Sequence, residues 1–165
     1  MSAPSYPLTP AGYTKLKTEL HRLKTVERPR ISIEIGTARE LGDLSENFEY
    51  HAAKDRQGMI EAYIRDLEDK LSRAQVIDPT RLSGSRVVFG ATVLLCDVEN
   101  EAERTFTIVG EIEANAEVGR ISVGSPVARA LIGKEEGDEV RIPGKAGPRT
   151  MEVVSVRFDS HEPPP

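Results

Sequence analysis

The sequence predicts an α+β protein: an antiparallel α-helical coiled-coil hairpin over residues 8–78, then a small antiparallel sheet with one short helix over residues 87–158. Three observations predict it. Apolar side chains recur at steps of three and four on both sides of a short acidic turn, Glu40–Asn47. After Asp78-Pro79 the period gives way to β-branched runs, and Ser83-Gly84-Ser85 separates the two patterns.

The first arm opens at Thr9-Pro10, with Thr9 as N-cap and Pro10 at the first helical position, where a missing N–H costs nothing. Leu16, Leu20 and Leu23 share a face, and Ile31, Ile35, Ala38 and Leu41 keep to an arc of ~120° around the face set by Leu16 at ~100° per residue. The positions 23, 27, 31 and 35 advance by fours, a stutter in a heptad pattern. Pro29 falls inside this stretch and predicts a kink or a loosened turn, with a split into two helices as the alternative. Gly42 stands where a left-handed helix end would sit, and Asp43 precedes Glu46 by three residues, as in a capping box. Spacing alone therefore assigns both carboxylates to the start of the second helix, the commonest use of this pattern.

In the second arm Ala53, Gln57, Ile60, Ile64, Leu67, Leu71 and Ala74 alternate steps of four and three, the seam of a left-handed coiled coil. Glu61, Arg65, Asp66, Glu68, Asp69, Lys70 and Arg73 fall between them as a solvated face. The seam needs a partner, and the first arm, antiparallel through the short turn, is nearest. Each arm would reach on the order of 45–50 Å at ~1.5 Å per residue, too long for a globular core. Residues 79–86 read as a linker. Strand patterns follow at 87–98, 105–112, 120–123, 138–142 and 150–158, interrupted by a helix that Ser125 caps, Pro126 starts and Gly133 ends. Residues 159–165 are expected to be a disordered tail.

Charge and composition exclude several functions. The net charge is −5 with both signs interspersed, so no basic face is available for tight, sequence-independent binding to duplex DNA, and protein partners are expected. Met1 to Pro10 has no basic segment followed by an apolar run, and no later stretch has bilayer-spanning length; a cytoplasmic monomer away from membranes is the expectation. Cys96, the one cysteine, lies in an apolar run and reads as a buried small hydrophobe. His21, His51 and His161 are isolated, and neither zinc spacing, a phosphate loop nor a nucleophile triad is present. No self-contained catalytic apparatus is visible.

With both arms, the turn and the C-terminal pattern in view, the chain resembles the Gre family of bacterial transcript cleavage factors. Glu27-Arg28-Pro29, Ala38 to Asn47, Glu49 to Lys54, Ala74 to Asp78, Val88 to Ala91, Ile108-Val109-Gly110 and Ser125 to Glu135 carry the likeness, which extends over residues 8–158. The resemblance implies an FKBP-like C-terminal domain that docks at the secondary-channel rim of RNA polymerase, on its largest catalytic subunit. It further implies that the coiled coil runs down the channel, where the RNA 3′ end of a backtracked complex is extruded. By this likeness Asp43 helps hold a second Mg²⁺ shared with the polymerase, no cofactor being bound by the chain alone, and Glu46 orients or deprotonates the attacking water. The polymerase would carry out the hydrolysis, and the chain would be its activator rather than an enzyme. Arg39 and Lys54 match a basic patch that contacts the RNA; Ser125 and Pro126 match the segment that grips the polymerase. Departures stand out at Leu44 and Ser45, the latter where relatives often have a basic residue, and at Gly124, where they usually have a polar one.

Two other functions compete at this point. One is a channel-binding homologue that inhibits without stimulating cleavage, against which the presence of both Asp43 and Glu46 argues. The other is a prolyl isomerase, disfavoured because residues 87–158 offer only Phe89, Phe106 and Phe158, with neither Trp nor Tyr, to line an aromatic site. Tyr50 and Phe48 have rings that could stack on a base, but such residues more often pack the end of a coiled coil, and that is the reading taken for both.

Overall fold

The structure is a computed structural model that describes residues 4–159. It contains two compact units, Thr14–Arg73 and Ser5–Tyr13 with the chain from Ala74 onward. Residues 160–165 of the expected tail lie outside the described residues.

The helical unit holds the rest of α1 (Pro10–Arg22), α2 (Arg28–Arg39) and α3 (Phe48–Ser72). Between α1 and α2 lies a π-helical turn, Leu23–Glu27, in which the Arg28 N–H bonds to the Leu23 carbonyl five residues back. This is the loosened turn expected before Pro29. A proline cannot donate the next α-helical bond, and the wider turn also accommodates the steps of four in the apolar positions. Leu23, Ile31, Ile35 and Ala38 are buried on this arm, as are Ala53, Ile64 and Leu67 on α3; Ile31, Ile35 and Ala53 form a cluster with Tyr50 and Ile60. Cross-arm ion pairs give the direction. Lys24 pairs with Glu68 at 2.8 Å, Arg28 with Glu61 at 2.8 Å and Arg56 with Glu34 at 2.7 Å, so rising numbers on one arm meet falling numbers on the other. Two expected seam members depart. Leu41 is 63% exposed because α2 ends at Arg39, and Ala74 has left the helix.

The helix ends at Ser72, not Asp78, because the backbone of the next residues is used elsewhere. Arg73 takes φ −103°, and its guanidinium spans Asp69 Oδ2 at 2.9 Å and the Pro4 carbonyl at 2.7 Å. Ala74–Val76 (β2) then pairs in parallel with Tyr6–Leu8 (β1), and the Ile77 N–H continues the pairing to the Leu8 carbonyl. The expected linker is also structured. Pro79–Arg81 forms a 3₁₀ turn capped by Asp78, and the Ser85 carbonyl accepts from the Glu136 N–H at 3.1 Å.

A five-stranded sheet is made of β3 (Thr92–Asp97), β4 (Glu103–Val109), β5 (Arg120–Ser122), β6 (Glu139–Ile142) and β7 (Arg149–Arg157), ordered β5-β4-β3-β7-β6. It is mixed rather than wholly antiparallel, since β4 and β5 run parallel. The 3₁₀ turns between them supply a reversal that a hairpin would not. One face is buried beneath the short helix α4 (Pro126–Leu131), with Val93, Leu95, Phe106, Ile108, Val140 and Val153 among the core. A bulge opposite Leu94/Leu95 leaves Val154 out of register, 45% exposed, and shifts the buried set from Val153 to Val156.

Two buried carboxylates tie this unit together. Glu113 accepts from the Thr9 N–H at 3.2 Å, from the Gly110 N–H at 3.0 Å and from the Thr9 hydroxyl, while Thr9 Oγ1 itself accepts from Gly12 N–H. Glu113 is thus the acidic half of a capping box for α1, supplied from 104 residues away. Asp97, 3% exposed, accepts from the Glu99 and Asn100 N–H groups and from Arg149, whose guanidinium holds the Asp97 carboxyl down to about 2.

A Cβ at Gly12 would lie 2.3 Å from the Glu113 carboxyl carbon, which its three bonds hold in place, whereas one at Gly36 meets nothing within 4 Å. Gly12→Ala should therefore cost about 1–3 kcal/mol of unfolding free energy. Gly36→Ala should instead gain about 0.5–1 kcal/mol, both read by urea melts. Because the Asp97 carboxyl is depressed in the fold, its contribution is complete above about pH 4 and is lost as pH falls toward 2. Asp97→Asn should lower the melting temperature at pH 7 and flatten its decline between about pH 4 and pH 2.

Candidate functional site

The turn between α2 and α3 is built by three local devices. The last turn of α2 tightens, with Glu40, Leu41 and Gly42 N–H groups bonded to carbonyls three residues back. Gly42 takes φ +116°, a conformation that side chains resist, and lets the chain leave the helix. Asp43 Oδ1 then accepts from both the Ser45 N–H at 3.0 Å and the Ser45 hydroxyl at 2.9 Å, closing an Asx turn.

The N-cap of α3 is Asn47, not Asp43. Its Oδ1 accepts from the Tyr50 N–H at 3.0 Å, and its Nδ2 donates to the Ala38 carbonyl at 2.5 Å. One side chain therefore satisfies an amide at the start of α3 and an end carbonyl of α2, clasping the loop across nine residues. The capping box expected of Asp43 and Glu46 is absent because Asn47 occupies the role. Glu46 precedes the helix, and its N–H bonds to the Asp43 carbonyl at 3.4 Å.

The displaced carboxylates are left at the surface. Asp43 and Glu46 are both exposed and line one open depression with Leu41, Asn47, Phe48 and Glu49. Among the described residues the Glu46 carboxylate and Asp43 Oδ2 have no hydrogen bond or ion pair, and the Ser45 hydroxyl and amide push the Asp43 carboxyl below its ordinary value. An exposed, ionised oxygen donor fits a hard divalent cation. Two such groups are not a complete site, and no cluster of three potential metal ligands exists among the described residues.

The other expected residues separate into two groups. The Arg39 guanidinium lies 5.7 Å from the Tyr50 ring centre, and Lys54 Nζ donates to Gln57 Oε1 at 3.2 Å; both side chains are exposed. Ser125 and Pro126 belong to the sheet unit. Ser125 Oγ accepts from the Ala128 N–H at 3.2 Å and Pro126 is exposed at the first position of α4. Sequence reasoning missed Asn47, although an Asn directly before a helical pattern is a cap signal, and it misplaced Phe48. Tyr50 packs on the helical cluster as expected, whereas Phe48 is 88% exposed.

Comparisons with known proteins agree along the chain. The family model described as transcription elongation factor, N-terminal, matches residues 6–76, and that for the GreA/GreB C-terminal part matches residues 82–158. Transcription elongation factor GreA of Hyphomonas neptunium is 57% identical over 152 residues, 92% of this chain and 97% of the relative. GreA of Phenylobacterium zucineum is 55% identical over the same shares. The solved GreA factor homolog 1 (Gfh1) of Thermus thermophilus is 30% identical, covering 93% of this chain and 99% of that one, with a TM-score of 0.43. The chain belongs to the GreA/GreB family of transcription elongation factors.

Asn47→Asp keeps the cap acceptor and removes the donor to Ala38, while Asn47→Ala removes both. Stability should fall by about 1 kcal/mol for the first and about 2 kcal/mol for the second, in denaturant melts. Amides of Leu41–Glu46 should exchange faster in both.

Proposed function

We propose that this chain enters the secondary channel of RNA polymerase with its helical hairpin and stimulates the polymerase's own endonucleolytic cleavage of RNA in backtracked complexes, restoring a 3′ end in the active site. The observation that carries this reading is the pair Asp43 and Glu46: exposed, free of capping duty and lacking any cation to neutralise them among the described residues. Family membership supplies the setting and disfavours both a non-stimulating channel binder and a prolyl isomerase.

Phosphodiester hydrolysis suits two divalent ions, one of which would be held jointly by Asp43 and the polymerase. Asp43 Oδ2 is the available donor; Oδ1 is committed to Ser45, which fixes the carboxylate and keeps it ionised. Glu46, which lines the same depression, orients the attacking water or accepts a proton from it in this reading. Because Mg²⁺ retains its waters and binds isolated carboxylates weakly, the pair is inert until the polymerase and RNA complete the coordination sphere. The chain is then an activator, and the hydrolysis belongs to the polymerase. Arg39 and Lys54 meet the RNA phosphates. The sheet unit, in this proposal an FKBP-like domain, grips the channel rim on the largest catalytic subunit through Ser125, Pro126 and α4, and the chain works as a cytoplasmic monomer.

The test is cleavage by backtracked polymerase across a Mg²⁺ titration. Asp43→Asn should raise the Mg²⁺ needed for half-maximal stimulation by roughly tenfold or more while polymerase binding is kept. Glu46→Ala should lower the rate at saturating Mg²⁺ by on the order of 10²-fold. Full activity in both variants, or binding lost in step with cleavage, would overturn the assignment.

A further inference from the structure

Phe48 is the most exposed large apolar side chain among the described residues, at 88%, and it stands at the first position of α3 between Asn47 and Glu49. Nothing in the packing of the hairpin uses it. Counting around the helix, it lies about 140° from Ala53, the buried residue that faces α2. Tyr50 supplies the aromatic packing at this end. Leu41, 63% exposed, shares the depression with Phe48, Asp43, Glu46 and Glu49, so an apolar pair and three acidic residues line one concavity.

On the reading proposed above, RNA lies against Asp43 and Glu46 during cleavage. Of the parts of a nucleotide, the phosphate is repelled by Asp43, Glu46 and Glu49 unless a cation intervenes. The flat, uncharged base is not repelled, and a phenyl ring accepts any base because every base has a π-face. We infer that Phe48 is a nucleobase-binding side chain, stacking on a base of the RNA segment whose phosphodiester Asp43 and Glu46 address. The ring fixes the nucleotide next to the scissile bond, and the carboxylates act on the bond itself. Phe48 is thus a positioning residue for the RNA, not a participant in proton or metal chemistry.

The experiment uses the full chain, reconstituted backtracked polymerase, and RNAs that carry a single abasic nucleotide at successive positions around the scissile bond. With intact RNA, Phe48→Ala and Phe48→Leu should slow stimulated cleavage by roughly tenfold, and Phe48→Tyr should keep the wild-type rate. At one abasic position the wild-type chain should fall to the Phe48→Ala rate, and the substitution should then have no further effect. Affinity for polymerase without RNA should be the same for all four proteins. Equal losses on intact and abasic RNA, full activity of Phe48→Leu, or weaker binding to RNA-free polymerase would overturn the inference, the last pointing to an apolar side chain of the polymerase as the occupant. Those outcomes leave stimulated cleavage by the wild-type chain intact; absence of stimulation on every RNA would instead bring down the functional reading and this inference together.

Discussion

The first amides of α3 need an acceptor, and Asn47 supplies it while its Nδ2 adds a second donor to the Ala38 carbonyl, which already accepts from the Leu41 N–H, so that one side chain bonds to both helices. A carboxylate could satisfy the amide and would gain from the helix dipole as well, but it could not reach back to a carbonyl. With Asn47 in the cap, the loop closes on itself, Asp43 is released into an Asx turn with Ser45, and Glu46 is left without a structural partner. The acidity of the surface follows from the identity of the cap. Had Asp43 been the cap, its charge would be spent on backbone amides inside the molecule.

The sheet unit follows a different logic, in which buried carboxylates do the joining. Glu113 reaches the start of α1 across the chain, and Asp97 gathers two turn amides and Arg149. In both cases a charged acceptor meets several donors, the condition under which burial of a carboxylate is favourable. These carboxylates are the opposite of the pair in the turn: enclosed, fully bonded and chemically quiet. Exposure and lack of partners, rather than the presence of acidic residues as such, distinguish the candidate site.

Local grammar was legible in the sequence wherever the interaction is local. Thr9-Pro10, the seam from Ala53 to Leu71, the loosening before Pro29 and the Ser125-Pro126 start of α4 are all settled within a few residues, and the structure has each of them. What escaped is what depends on distant partners. Ala74 carries the seam's period, yet its backbone is claimed by Tyr6, and the parallel β4–β5 pairing depends on 3₁₀ turns that composition does not specify. In the turn, the three-residue spacing of Asp43 and Glu46 points to Asp43 as the cap and passes over Asn47, whose amide bonds to both helices. An aromatic beside the turn reads as packing because aromatics are usually buried; the angle of Phe48 around α3, fixed only once the helix start is known, sends it the other way.

The π-helical turn at Leu23–Glu27 has a bearing on how such an arm can change over time. In an uninterrupted α-helix a single inserted residue rotates everything beyond it by about 100°, which would carry Ile31, Ile35 and Ala38 off the seam. A wide turn holds one surplus residue without that rotation. The turn thus lets the arm carry one extra residue while Ile31, Ile35 and Ala38 stay buried and the direction in which α2 presents the Asp43 turn is kept.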